Sequence, residues 1–148
     1  MECTVNWTGG LGTQSDMGFI AETGSGHILN MDGAPDALKP ENGGKNLAAR
    51  PMELLLAGMG GCTSYDVVLI LKRGRQAVKG CTVQIKAERA ETEPKVFTKI
   101  NMHFIVTGDN LVPSAVERAI ALSHEKYCSA SIMLGKTAEI STSFEISA

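Results

Sequence analysis

The segment from Pro51 to Leu71 constrains this chain more than any other. Pro51 is placed to open a helix, because proline suits the first helical position, and Glu53 falls where a capping-box carboxylate sits. Apolar residues from Met52 to Leu71 cover nearly the whole helical circumference, which predicts a buried helix rather than one lying on the surface. Gly58, Gly60 and Gly61 each cost about 1 kcal/mol against alanine inside a helix. Their presence predicts close backbone approach to another helix, or a break between two helical pieces. Lys72-Arg73-Gly74-Arg75 closes the element with positive charge near its C-terminus.

Strands surround this helix in the sequence. Cys3 to Thr8 alternates, with Cys3, Val5 and Trp7 on one side, and Gly9-Gly10 follows as a turn. Gly18 to Thr23 and His27 to Met31 read as two short strands joined by Gly24-Ser25-Gly26, a hairpin signal. Asp32 to Arg50 is rich in Gly, Pro, Asn and Lys and reads as a long loop, a length usually found in mobile segments or binding surfaces. After the helix, Cys81 to Ala90 and Val96 to Thr107 read as paired strands. Cys81, Val83, Ile85 and Ala87 share one face, as do Ile100, Met102, Phe104 and Val106. Pro113 opens a second helix with Val116, Ala119, Ile120 and Ser123 at helical spacing. Ser129 to Leu134 reads as a short helical turn, and Thr137 to Ile146 as a last alternating strand. The order predicts a single α+β domain over residues 1–148 with a largely antiparallel sheet.

Bulk properties exclude several classes. A formal charge of −2 leaves no basic footprint for nucleic acid. No unbroken apolar run approaches the roughly 20 residues that span a bilayer, so no membrane partner is expected. The N-terminal residues Met1-Glu2-Cys3-Thr4-Val5 lack the charged and apolar regions of a secretory signal, which predicts a cytoplasmic protein with reduced thiols. The four cysteines form no Cys-x-x-Cys pair and the three histidines show no ligand spacing, so no metal site is expected.

The cysteines differ in setting. Cys3 and Cys81 lie on apolar sides of strands and read as small core hydrophobes. Cys62 lies inside the apolar helix, directly after Gly60-Gly61. Were a helical piece to restart at those glycines, its dipole would favour the thiolate, whereas Asp66, one turn on, would oppose it. Local sequence leaves both a structural and a catalytic role open for Cys62. Cys128 ends the second helical region, with His124 four residues earlier as either a solvated side chain or a base.

Pro51-Met52-Glu53-Leu54-Leu55 followed by Gly61-Cys62, with Tyr127-Cys128-Ser129 much later, resembles the OsmC/Ohr family of cysteine peroxidases. The resemblance runs over essentially the whole chain. Val67 to Arg75, Phe104 to Gly108 and Ser123 to Ser129 are similar to its YhfA-like branch. It implies an OsmC-like fold, an intertwined homodimer whose buried helices cross between wrapped sheets, and a role in oxidative-stress defence. It also implies that Cys62 attacks an organic hydroperoxide or hydrogen peroxide to give a sulfenic acid, and that Cys128 resolves this to a disulfide. An external dithiol would then reduce the disulfide, with no cofactor. Family peroxidases pair a glutamate directly after the helix-opening proline with an arginine from the N-terminal strands. Here that position is Met52, Glu53 is the nearest catalytic carboxylate candidate, and no arginine precedes Arg50. Across nine residues Glu53 and Cys62 fall on roughly opposite sides of a continuous helix. A non-enzymatic redox-sensing or small-molecule-binding dimer on the same scaffold is the alternative expectation.

Overall fold

The structure, a computed structural model, describes residues 1–9 and 15–147, so Gly10 of the expected Gly9-Gly10 turn lies outside the described residues. The chain divides into two units, Met1–Leu55 and Leu56–Ala148, each described by itself.

In the first unit, β1 (Cys3–Trp7), β2 (Gly18–Thr23) and β3 (Ile28–Asp32) form an antiparallel meander. Gly26 has a φ of 81°, which closes the turn expected at Gly24-Ser25-Gly26 and lets its N–H donate to the Thr23 carbonyl at 2.8 Å. All five residues of β1 are exposed in the single chain, Cys3 among them. The expectation that Cys3 is a core residue is therefore corrected. Alternation shows which side chains share a face of a strand, but not whether another layer covers that face.

The segment after β3 is organised around one buried carboxylate. Asp32 is 2% exposed. Its Oδ1 accepts from the Ser15 hydroxyl at 2.6 Å and the Gly33 N–H at 2.8 Å, and its Oδ2 accepts from the N–H groups of Lys45 at 3.1 Å and Leu47 at 2.9 Å. A single-turn 3₁₀ helix covers Pro40–Asn42, and the Asp32 N–H donates to Ala49 at 3.1 Å. Gly44 lies so close to the backbone of Gly33 that no Cβ fits there. The loop read from composition is thus a tied structure whose backbone donors converge on Asp32.

Helix α1 (Pro51–Arg73) runs without a break through all three glycines. Glu53 Oε2 accepts from the Arg50 N–H at 2.9 Å, the expected capping box. In the second unit α1 buries a stripe of Met59, Thr63, Val67 and Leu71, one residue per turn. The rest of its apolar surface is half-buried or exposed, so all-round burial is not achieved within one chain. The glycines do not break the helix. Gly60 faces a strand rather than a helix, and a Cβ there would come within 3.0 Å of Ile85 Cδ1, while Gly58 and Gly61 face open space. At 23 residues and a mean hydropathy of 1.7, α1 is long and apolar enough to cross a bilayer, contrary to the expectation from unbroken apolar runs. Length and composition alone do not distinguish such a span from a core helix.

Strands β4 (Ala77–Arg89) and β5 (Phe97–Asp109) pair antiparallel, with Val83 opposite Phe104 and Ile85 opposite Met102. Ile100, Met102, Phe104 and Val106 are at most 1% exposed and form the centre of this unit's core. The last strand, β6 (Glu139–Ser147), pairs with β5 in parallel, placing Phe104 beside Phe144. A parallel pair needs a long crossover. Here α2 (Pro113–Leu122), a π-turn over Ser123–Tyr127 and α3 (Ser129–Leu134) supply it. Val116, Ala119, Ile120 and Ser123 are buried, as their spacing predicts. The fold is mixed α+β, mostly antiparallel, with this one parallel pair.

Candidate thiol site

Two stretches of the second unit bring the site together. Cys62 and Asp66 lie one turn apart on α1 and so project from the same side of it. The crossover brings the second thiol. The π-turn ends with the Cys128 N–H donating to the Ser123 carbonyl at 2.8 Å, and Cys128 then leaves helical geometry at ψ 98°. That makes Cys128 the N-cap of α3, where its Sγ accepts from the Ser131 N–H at 3.4 Å. Cys128 is fully buried and Cys62 half-buried.

The sulfurs of Cys62 and Cys128 and a carboxylate oxygen of Asp66 all lie within 4.8 Å of one another. The Ser123 hydroxyl donates to Asp66 Oδ2 at 3.0 Å, fixing that side chain. The Cys128 side chain and the Ala130 N–H both act on the Cys62 thiol. Burial pushes the Cys62 thiol above its ordinary pKa. The Cys128 hydrogen bond and the negative charge available to Cys128 and Asp66 push the same way, and only the Ala130 N–H opposes them. The repulsion expected from Asp66 is present; the α1 dipole is not available, because Cys62 sits mid-helix. Burial also raises the Cys81 thiol, with the Ser64 side chain acting against it. Half-buried on β4, Cys81 behaves as a packing residue.

The other sequence candidates fall elsewhere. Glu53 caps α1 as described, and the Arg50 guanidinium donates to Asn46 Oδ1 at 3.3 Å, so both serve the helix entry. His124 is not one of the three clustered groups. The wider π-turn removes the i to i+4 alignment with Cys128, and its ring lines a separate cavity of about 230 Å³ with Ser131 and Lys136. Asp66 also lines a cavity of about 280 Å³, walled by Leu69, Ile70 and Leu122 and rimmed by Arg73 and Tyr127. In the sequence Asp66 stands out only as a perturbing charge and Ser123 only as a core position. The one-turn spacing of Cys62 and Asp66 was legible, but the Ser123 link spans 57 residues and was not.

Comparison with known proteins gives consistent neighbours. Residues 43–143 match the family described as OsmC-like protein. Over 146 residues the chain is 45% identical to Protein YhfA of Escherichia coli K12, covering 99% of this chain and 98% of that protein. A hypothetical protein of Aquifex aeolicus VF5 superposes with a TM-score of 0.78 at 31% identity, over 99% of this chain and 95% of the other. An organic hydroperoxide resistance protein OsmC of Legionella pneumophila superposes with a TM-score of 0.66, over 98% and 97% of the two chains. At 19% identity, that last likeness is one of fold.

Proposed function

Since this chain belongs to the OsmC-like protein family, we propose that it is a thiol-dependent hydroperoxide reductase acting through Cys62 and Cys128 in oxidative-stress defence. The observation that carries this reading is the approach of the two sulfurs to within 4.8 Å, close enough for a modest side-chain movement to form a disulfide. In the proposed cycle the Cys62 thiolate attacks the terminal oxygen of a hydroperoxide. The O–O bond breaks, Cys62 becomes a sulfenic acid, and the alcohol leaves after taking a proton. The Cys128 thiol then displaces water from that sulfenic acid to give the Cys62–Cys128 disulfide. An external dithiol, itself oxidised to a disulfide, restores both thiols. The Ala130 N–H supports negative charge on Cys62, and the apolar cavity beside Asp66 suits the organic part of a hydroperoxide. Glu53 keeps a place here only as the carboxylate nearest the family position. No cofactor enters this scheme, and the cytosol, with its dithiol reductants, is its proposed setting.

The test is a brief equimolar hydroperoxide pulse on reduced protein, quenched and analysed by peptide mass spectrometry. A Cys62–Cys128 disulfide within seconds is expected; slow formation without turnover would instead favour a redox-sensing or ligand-binding dimer. That second reading has its own support, because the raised Cys62 pKa leaves little thiolate at neutral pH.

A homodimer is part of the proposal. Gly58 and Gly61 face open space on α1, Tyr65 is 69% exposed, and Val5, Trp7, Ile28 and Leu29 are exposed on the first sheet. Apolar surface of that extent calls for a covering partner, and a crossing helix of a second copy suits the α1 glycines. Solution light scattering should give twice the 15.7 kDa chain mass; a stable monomer at micromolar concentration would sink the dimer.

A further inference from the structure

We propose that Cys62, Cys128 and Asp66 form a reversible site for one thiophilic divalent cation such as zinc, in which metal occupancy and the Cys62–Cys128 disulfide exclude each other. The inference rests on the geometry of the three groups and holds whether or not the protein turns over hydroperoxides.

The donor set is the first argument. Two sulfurs and one carboxylate oxygen lie mutually within 4.8 Å on two separate stretches of chain. Tetrahedral zinc with Zn–S bonds of about 2.3 Å requires ligand atoms roughly 3.8 Å apart, so the three donors need to close by no more than about 1 Å. Cys128 is fully buried as the cap of α3, which anchors one donor, while Cys62 and Asp66 sit at fixed one-turn spacing on α1. Three protein ligands leave a fourth position open to water, as in exchangeable rather than structural zinc sites.

The surroundings of each donor are the second argument. A ligating carboxylate is normally oriented by an outer hydrogen bond, and the Ser123 hydroxyl donates one to Asp66 Oδ2. Each sulfur has a backbone N–H beside it, Ser131 at Cys128 and Ala130 at Cys62. Three groups able to carry negative charge converge in a partly buried place, where without a cation they repel one another. A dication turns it into attraction. As two metal–sulfur bonds form, the two thiols release two protons to solvent, water leaves the metal, and no electrons move. Metal binding draws charge from the sulfur and so blunts its attack on peroxide, and a disulfide has no thiolate to ligate.

The experiment titrates the fully reduced protein with zinc against a chromophoric chelator, using Cys3→Ser as the background to remove the exposed thiol. One zinc per chain is expected, lost in Cys62→Ser and weakened about 10- to 100-fold in Asp66→Asn. Cobalt in place of zinc should give the near-ultraviolet thiolate-to-metal band of two sulfur ligands. Circular dichroism of each variant separates ligand loss from misfolding, and adding zinc before a peroxide pulse should suppress the disulfide. Stoichiometric binding that persists in both variants, or a reduced wild type that takes up no zinc, would overturn the site. The same peroxide pulse in metal-free buffer reads the proposed reductase activity separately.

Discussion

Replacing Cys62 with serine is expected to bring dithiol-dependent hydroperoxide consumption down to the rate of buffer containing dithiol alone. That is a loss on the order of 10³-fold or more, because the nucleophile is removed rather than weakened. A serine hydroxyl does not ionise in this pH range and has no accessible sulfenic state, so nothing replaces it. Replacing Cys128 with serine should have a different effect. The first attack on peroxide would proceed, but without a resolving thiol 4.8 Å or less away the sulfenic acid would persist and oxidise further to the sulfinic acid. Activity would then fall over successive turnovers rather than at the start. Peroxide consumption, read alongside the oxidation state of Cys62 by mass spectrometry, separates the two variants. Unchanged turnover in Cys62→Ser would end the proposed chemistry.

The second large effect concerns stability. Asp32→Ala should destabilise the first unit by about 3 kcal/mol, because it removes the acceptor of four hydrogen bonds and leaves the part-buried N–H groups of Gly33, Lys45 and Leu47 without it. Burial acts to raise the Asp32 pKa, but the Leu47 N–H, the Ser15 hydroxyl and the Gly33 and Lys45 N–H groups outweigh it and hold the carboxyl below its ordinary 3.8. The sign follows directly. A depressed folded pKa means that the ionised form stabilises the fold fully above the ordinary value, and that this stabilisation fades as pH falls through the lowered one. Urea unfolding of wild type and Asp32→Ala should therefore differ most at neutral pH and converge as the pH falls through the lowered pKa. A gap that stays constant into acid would show that the loop is held by something other than the carboxylate.

Periodicity reached much of the fold. The α2 face of Val116, Ala119, Ile120 and Ser123, the buried β5 face from Ile100 to Val106, and the short helix Ser129–Leu134 are all found where spacing places them. The misreadings share a cause. Cys3 on β1 and the outer surface of α1 are apolar in pattern, yet neither is enclosed within one chain. A pattern records what a residue prefers to touch, whereas burial depends on what is present to touch it.

For the site, the sequence determined its reagents: a thiol within an apolar helix, an acid one turn beyond it, and a second thiol after a later helix. Those follow from helix geometry, in which residues four apart share a face whatever surrounds them. Only the tertiary structure decided that the crossover from β5 to β6 carries Cys128 back to Cys62, and that Ser123 holds Asp66 beside both sulfurs. That closeness depends on a parallel strand pairing and a π-turn. Both are set by packing between distant segments, which no local pattern encodes.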